Sequence, residues 1–229
     1  FLCVARSVSK SEVMSVPAAN EAVAKERKRL EEYPCWDVSQ VKSFWDVQRE
    51  ANELGVTIHV GSLHELCMEK GSELEEGNPE RKYKGRVVFL GDRVRDQNGQ
   101  TAIFEEMASS PAGLEASKLC DFYGLMQPYM AAALAGGASS GDADPHVLQQ
   151  SDASQAYCQA FLGGPTTWVR IPPHRRPKGW EGIQDPVCPL IRALYGHANS
   201  GACWEKRCDD KVIGSGFRRV GECGEWRSC

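Results

Sequence analysis

Apolar and polar residues recur along this chain with two different periods, which predicts both helices and strands. Residues 18–33 are strong helix formers with four acidic and four basic side chains, typical of a solvated helix face. Residues 39–54 predict an amphipathic helix whose apolar face includes Phe44 and Trp45. We expect the Trp45 ring to pack in the core. Residues 1–16 show no clear period and are expected to be loose.

Shorter patterns predict the remaining elements. The expected strands are β-rich runs bounded by turn residues, at Val56–Val60, Arg81–Gly91, 146–152, Thr166–Ile171 and Val187–Leu190. The expected helices cover 111–127, 153–162 and about 193–213. Because strands and helices intermix without regular β-α-β alternation, we expect an α+β fold, with a mixed or antiparallel sheet packed on helices.

Composition and charge exclude several classes of protein. The chain has 229 residues, enough for one large or two small domains, and its net charge is −4. This charge excludes a uniformly basic nucleic-acid binder but allows a local basic surface. The run Met130–Ala138 is too short to span a bilayer, and residues 1–8 lack the pattern of a signal peptide. Because the chain starts at Phe1, we expect a piece of a longer protein.

Ten cysteines are spread along the chain, and no two are spaced as C-x-x-C. We expect reduced, mostly buried thiols in an intracellular protein, because a chain of this length does not need disulfides to fold. The even number leaves a disulfide framework as an alternative, whereas zinc would need ligands gathered from distant segments. A cysteine hydrolase is a further hypothesis, but no Cys-His-carboxylate pattern supports it.

Two segments are basic although the chain is acidic. The segment 81–95 has six basic residues and the single acid Asp92; its basic residues are Arg81, Lys82, Lys84, Arg86, Arg93 and Arg95. The segment 170–180 has no acid, and its basic residues are Arg170, Arg175, Arg176 and Lys178. Both are candidate phosphate-facing surfaces, and a solvated rim is the alternative for each.

Asp152, at the end of an expected strand and followed by Tyr157, is a candidate corner for a metal ion and a nucleotide. A carboxylate suits Mg²⁺, and an aromatic ring suits the face of a sugar. The alternative for Asp152 is an N-cap of the following helix.

Five segments, in order and spacing, resemble the reverse transcriptase of copia-type (pseudoviral) LTR retrotransposon polyproteins. Tyr83–Gly91 resembles the family's Y-K-A-R-L-V-x-x-G strand, and Asp152–Tyr157 resembles its D-V-x-x-A-F-L-x-G segment. Thr167–Pro172 is similar to E-V-Y-M-x-x-P-x-G-F, and Leu190–Trp204 to L-x-K-A-L-Y-G-L-K-Q-A-P-R-x-W. Gly216-Phe217 resembles the G-F that follows the long helix. The resemblance covers about residues 20–220. It departs at Asn199, where the family has Gln, and at Gly201 and Ala202, where it has Pro and Arg.

The resemblance implies reverse-transcriptase-like fingers and a partial palm over residues 17–220. Residues 1–16 are expected to be a loose segment, and residues 17–150 to be mainly fingers. The start of the palm covers 151–220, and a truncated tail covers 221–229. The family's catalytic Tyr-x-Asp-Asp hairpin is absent from the sequence. Cys208-Asp209-Asp210 falls in a predicted helix and is not interpreted as its substitute. The chain therefore supplies one of three catalytic carboxylates and is expected to be inactive by itself.

The resemblance also implies roles for individual residues. Asp152 would be the first carboxylate for two Mg²⁺ ions, and Tyr157 would exclude ribonucleotides by filling the space of a 2′-hydroxyl. The other implied nucleotide contacts are Lys84, Arg86, Ala153, Ser154, Gln155 and Asn199. The expected nucleic-acid contacts are Arg81, Lys82, Arg93, Arg95, Arg175, Arg176 and Lys178.

The implied function is RNA-directed DNA polymerase activity within a retrotransposon polyprotein. The implied partners are an RNA or DNA template–primer, deoxynucleotides, and the RNase H and integrase parts of the polyprotein, without a membrane. The implied location is the cytoplasm, in virus-like particles, or the nucleus. The alternative is a non-catalytic nucleic-acid-binding relic of such an element.

Overall fold

The structure is a computed structural model that describes residues 4–104, 115, 118, 119, 121–126 and 152–217. The chain divides into two compact units. The first unit comprises 1–107 and 155–205, and the second comprises 108–154 and 206–229. The segments 131–144 and 146–151, for which a surface connection and a strand are predicted, lie outside the described residues.

Helices and strands mix along the chain as expected. The described helices are α1 (Lys10–Ser15), α2 (Pro17–Glu32), α3 (Phe44–Leu54), α4 (helical residues 121–126) and α5 (Ser200–Gly214). The described strands are β1 (Ala5–Ser7), β2 (Lys42–Ser43), β3 (Ile58–Lys70), β4 (Lys82–Phe89), β5 (Arg95–Asp96), β6 (Thr166–Arg170) and β7 (Pro186–Pro189).

The seven strands form one mixed sheet in the order β1-β3-β6-β7-β2, with β4 and β5 also pairing with β3. The β3–β6 pair is parallel, whereas the other pairs are antiparallel. The sheet packs with helices around clusters of buried apolar side chains. The expected α+β class and mixed sheet are therefore confirmed.

Strand β3 is much longer than the predicted Val56–Val60, because it runs 13 residues to Lys70. From Leu63 onward its residues alternate between buried and more exposed positions, the period-two pattern of a strand with one buried face. Because the segment 65–76 contains many glutamates, it resembles a charge run, and the alternation is not evident from the sequence. Glu69 is only 2% exposed, because arginines from neighbouring segments pair with it.

Two predictions near the N-terminus are wrong. The described residues 4–16 are not loose, because β1 pairs with β3 and Ser9 caps α1 through a hydrogen bond from the Glu12 amide. The predicted 39–54 helix begins only at Phe44, and Trp45 is 52% exposed rather than packed in the core. The buried face of α3 consists of Val47 and Ala51.

Two predicted helices are shorter in the structure than expected, and the first is almost entirely non-helical. In 153–162 only the short 3₁₀ turn Tyr157–Gln159 forms, since Gln155 has a left-handed backbone with φ of 53°. The helix expected from about residue 193 begins at Ser200. The preceding residues are held in turns and in an antiparallel bridge between Phe161 and Arg192.

Helix α2 lies so close to β4 that only glycine fits at position 85. A Cβ there would be 2.5 Å from both the Ala22 carbonyl oxygen and the Val23 Cα. Ala19 and Val23 of α2 pack with Cys67 of β3 below this point. The contact fixes the helix directly beneath the β3–β4 hairpin.

Most of the thiols that the structure describes are buried, as predicted. Four are buried and two are half-buried, and none of the six takes part in a disulfide; they are Cys35, Cys67, Cys158, Cys188, Cys203 and Cys208. Within the described ranges, no helix is both long enough and apolar enough to cross a membrane.

Candidate nucleic-acid interface

The β3–β4 hairpin presents a basic and apolar surface on its outward side. Directly opposed residues of an antiparallel pair share one face of the sheet, and the register opposes Leu66 to Arg86, Met68 to Lys84 and Lys70 to Lys82. We call these six residues the hairpin face. All but the half-buried Arg86 are exposed. Leu66 and Met68 thus lie beside a row of cations.

Like charges are concentrated on the hairpin face. The positive charge of Arg86, followed by burial and the charge of Lys70, lowers the pKa of Lys84. Glu26 of α2 opposes this shift. The outward positions of β3 and β4 carry no carboxylate, because Glu65 and Glu69 occupy the inward register. An anion such as a phosphate would relieve the repulsion between these cations.

Three of the family-like sequence motifs converge beside the hairpin face. The Arg86 guanidinium lies 5.2 Å from the centroid of the Tyr195 ring, within cation–π range. The rings of Tyr195 and Tyr157 lie 4.7 Å apart, centroid to centroid. The Y-K-A-R-like strand, the D-x-x-x-A-Y segment and the A-L-Y-G segment therefore meet at one side chain, Tyr195.

The end of β4 and the A-L-Y-G segment also touch through their backbones. The Phe89 amide donates a 2.8 Å hydrogen bond to the Tyr195 carbonyl oxygen. A side chain on Gly91 would overlap the Gly196 carbonyl, and one on Gly196 would overlap the Phe89 carbonyl. This close approach holds the Tyr195 ring next to Arg86.

Gln155 and Asn199, both expected to contact a nucleotide, are buried. The Gln155 side-chain amide faces Glu26 of α2, with Nε2 and Oε2 3.5 Å apart. Asn199 is 4% exposed, and its Nδ2 donates to the Gly163 carbonyl oxygen at 3.4 Å. Burial favours a packing role for both side chains over direct contact with a nucleotide.

The second basic segment is largely neutralised by carboxylates from other parts of the chain. Arg175 donates to Glu65 of β3 at 3.0 Å and to Asn20 of α2 at 3.2 Å. Arg170 forms a bidentate pair with Asp185, at 2.9 and 2.7 Å.

The other cations of this loop differ in their surroundings. Arg176 is half-buried and donates to the Ile171 carbonyl oxygen at 3.2 Å. Lys178 is exposed. The loop therefore carries less available charge than its sequence suggests.

The remaining basic residues of 81–95 also differ in how far their charge is available for binding. Arg81 ion-pairs with the buried Glu69 and also donates to the Leu74 carbonyl oxygen, so its role is structural. Arg93 is exposed beside Asp92, at 3.3 Å, and Arg95 donates to Thr101 at 3.2 Å. Lys82 is exposed and belongs to the hairpin face.

Asp152, Ala153 and Ser154 lie in the second unit and are exposed. Asp152 does not cap a helix, since the expected helix after it does not form. Among the described residues, no three His, Cys, Asp or Glu side chains form a group that could hold a metal ion. One exposed carboxylate is too small a donor set for the implied pair of Mg²⁺ ions, so the described residues do not fit this metal centre.

Three side chains at this surface were not recognised from the sequence. Leu66 and Met68 were not expected to be surface residues, and the Tyr195 ring was given no function. The alternation from Leu63 to Lys70 was the available signal for the first two. Comparisons of the chain with protein-family models, with curated proteins and with solved structures gave no match. The resemblance to reverse transcriptases stays a prediction.

Proposed function

We propose that this chain is the template- and nucleotide-binding part of an RNA-directed DNA polymerase of the copia-type family, comprising fingers and a partial palm. In the parent polyprotein it would act with RNase H and integrase parts. By itself the chain binds nucleic acid without extending a primer.

The observation that carries the proposal is the contact of Arg86 and Tyr157 with the same Tyr195 ring. The resemblance gives Lys84 or Arg86 to the phosphates of a nucleotide and Tyr157 to its sugar. Both groups belong to a single nucleotide, so their side chains must lie close together in space. Arg86 and Tyr157 are far apart in the sequence but lie close together in the structure, as this requires.

The hairpin face supports binding of a single strand in particular. Lys70, Lys82 and Lys84 offer contacts for successive phosphates, while Leu66 and Met68 offer apolar surface to unstacked bases. Because the contacts are with the backbone and with base faces, we expect little sequence preference and strong salt dependence.

Binding is tested by fluorescence anisotropy of a labelled single-stranded RNA template with the whole chain, over a salt series. We expect the logarithm of the association constant to fall linearly with the logarithm of salt concentration, with or without Mg²⁺. The double variant Lys84→Glu, Arg86→Glu should weaken binding at least about tenfold at low salt. Affinity that does not change with salt, or a variant that binds as well as the natural chain, would contradict the proposal.

Primer extension on the same template separates binding from catalysis. Two-metal nucleotidyl transfer needs several carboxylates on the two ions, and the described residues do not supply that set. We expect no product. Template-dependent extension by this chain would show that the catalytic set is complete.

The second candidate, a non-catalytic binding relic, is favoured by the absence of carboxylates from the outward positions of β3 and β4. It shares the template binding but not the nucleotide site. If the polymerase proposal holds, the complementary deoxynucleotide tightens binding of a primer–template more than the matching ribonucleotide does. A relic shows no such preference.

A further inference from the structure

One edge of strand β4 has no neighbouring strand within the described part of the chain. The opposite edge pairs with β3 along the whole of β4. At the end of the strand, the Phe89 amide points away from β3 and donates to the Tyr195 carbonyl oxygen. Because the backbone groups of every second residue in a strand point to the same edge, those of Tyr83 and Gly85 also point away from β3. No hydrogen bond among the described residues occupies them.

Helix α2 runs beside this edge and leaves a groove of about 320 Å³ between helix and strand. Tyr83 and Gly85 line the groove on the strand side, and Ala18 and Ala22 line it on the helix side. An open strand edge is a template for pairing with another chain. A groove between such an edge and a helix accommodates an extended peptide, which pairs with the strand through its backbone.

The geometry of an antiparallel pair fixes which way the side chains of such a peptide point. The peptide residue directly opposite Gly85 would exchange hydrogen bonds with it, and its side chain would share the α2 face of the sheet. The residues on either side of it would point to the outward face, beside Lys82 and Lys84 of the hairpin face.

The helix side of the groove suits apolar side chains. Gly85 has no side chain, and α2 presents only the methyl groups of Ala18 and Ala22 next to it. The same wall carries both signs of charge, since two glutamates and two basic residues also line it; these are Glu21, Glu26, Lys25 and Arg29. An acidic side chain therefore gains nothing on this side.

The outward side suits acidic side chains instead. Lys82 and Lys84 are both exposed, and the outward positions of β3 and β4 carry no carboxylate. Opposite charges on neighbouring strands stabilise a sheet, whereas like charges destabilise it. Pairing of two copies of this chain through their β4 edges would set lysines against lysines, so a second copy is the wrong occupant.

We propose that the edge of β4 at Tyr83 and Gly85 is a docking site for an extended peptide of a protein partner, in which acidic residues alternate with apolar ones. The peptide adds an antiparallel strand to the sheet, with its apolar side chains toward α2 and its acidic side chains beside Lys82 and Lys84. This docking does not depend on the proposed polymerase function.

The probe is a short labelled peptide of alternating valine and glutamate, titrated into the whole chain by fluorescence anisotropy. N-methylation of its valine amides removes the donors that face β4, whereas N-methylation of its glutamate amides alters only the outer edge. Both modified peptides keep every charge. The first should bind at least about tenfold more weakly than the unmodified peptide, and the second within about threefold of it.

Two tryptophan variants of α2 test the groove from the side of the protein. Ala18→Trp fills the groove and should weaken peptide binding at least about tenfold, whereas Ala24→Trp should change it less than about twofold. Ala24 does not line the groove, and both alanines are exposed, so both variants should fold. Both should also bind the single-stranded RNA as the natural chain does, which separates this proposal from nucleic-acid binding.

The two methylated peptides give a result even if a variant does not fold. Equal affinities of these peptides would show that charge attraction alone holds the probe, and this would overturn the proposal. Failure of the unmodified peptide to bind, or equal losses in the two tryptophan variants, would overturn it as well.

Discussion

The hairpin face and the loop 172–180 are both basic in the sequence, but they differ in the folded chain. On the hairpin face, Lys70, Lys82 and Lys84 share one side of two strands whose outward positions carry no acid. In the loop, Arg175 faces Glu65 of a distant strand. The first surface therefore keeps its charge, whereas the second uses much of its charge to fasten the loop to the sheet.

A count of charges along a segment therefore does not measure the charge of a surface. A Glu65 carboxylate oxygen also lies 3.2 Å from the His174 Nε2 and 3.9 Å from an Arg27 guanidinium nitrogen of α2, so one carboxylate contacts two arginines and an imidazole. Strand alternation decides this outcome, because it places Glu65 inward and its neighbours Leu66 and His64 outward.

The largest effect is expected where the hairpin packs on its helix. Gly85→Ala forces a Cβ against the backbone of α2 and should destabilise the fold by about 3 kcal/mol. Gly179→Ala in the loop meets no atom within 4 Å and strains only a left-handed backbone, at a cost of about 1 kcal/mol. Urea unfolding measures both free energies. Equal losses would show that the helix–hairpin contact is loose.

Next comes the ion pair that fastens the loop. Arg175→Ala leaves the mostly buried Glu65 with weaker partners and should cost about 2 kcal/mol of unfolding free energy. Lys178→Ala, at an exposed position of the same loop, should cost less than about 0.5 kcal/mol. Thermal denaturation compares the two variants. A neutral Arg175→Ala would mean that the pair adds nothing to stability.

The third effect concerns binding rather than stability. Lys84→Glu should weaken binding of a single-stranded oligonucleotide about tenfold at low salt, whereas Lys178→Glu should change it less than about twofold. Both positions are exposed, so both variants should keep the stability of the natural chain. Anisotropy titrations give the two ratios. If the loop variant loses more affinity, the binding surface lies on the loop instead.

The smallest effect is a dependence of binding on pH. Since Arg86 lowers the pKa of Lys84, this lysine loses its positive charge at a lower pH than an ordinary lysine does. Binding should therefore weaken by about threefold as the pH rises from about 7 to about 10. Lys84→Arg keeps its charge over this range and should bind with little change. Parallel pH profiles for the two proteins would contradict this assignment of the charge.

Local patterns predicted a large part of the fold. Helix α2 and strands β4, β6 and β7 lie within a few residues of their predicted bounds, because a single period in each segment determines them. The extra length of β3 and the late start of α5 were missed. Both depend on distant partners, namely β4 and β1 for the strand and the Phe161 bridge for the residues before the helix.

The candidate site shows the same division. The sequence supplied Lys84, Arg86 and Tyr157 as candidates, but not their relation to one another. The sequence does not show that Asn199 and Gln155 are buried. The burial of each depends on a distant segment, the turn at Gly163 for Asn199 and helix α2 for Gln155.

The α+β class, most helices and strands, and the set of cations available for a binding surface all follow from the amino-acid sequence. Which of those cations stay on a common surface follows only from the folded chain, since Arg175 and Glu65 meet across 110 residues. Folding also brings together Arg86, Tyr195 and Tyr157. The physical reason is that Coulomb interactions, hydrogen bonds and ring contacts depend on distance in space, whereas the local periods of a sequence record only which way each side chain faces.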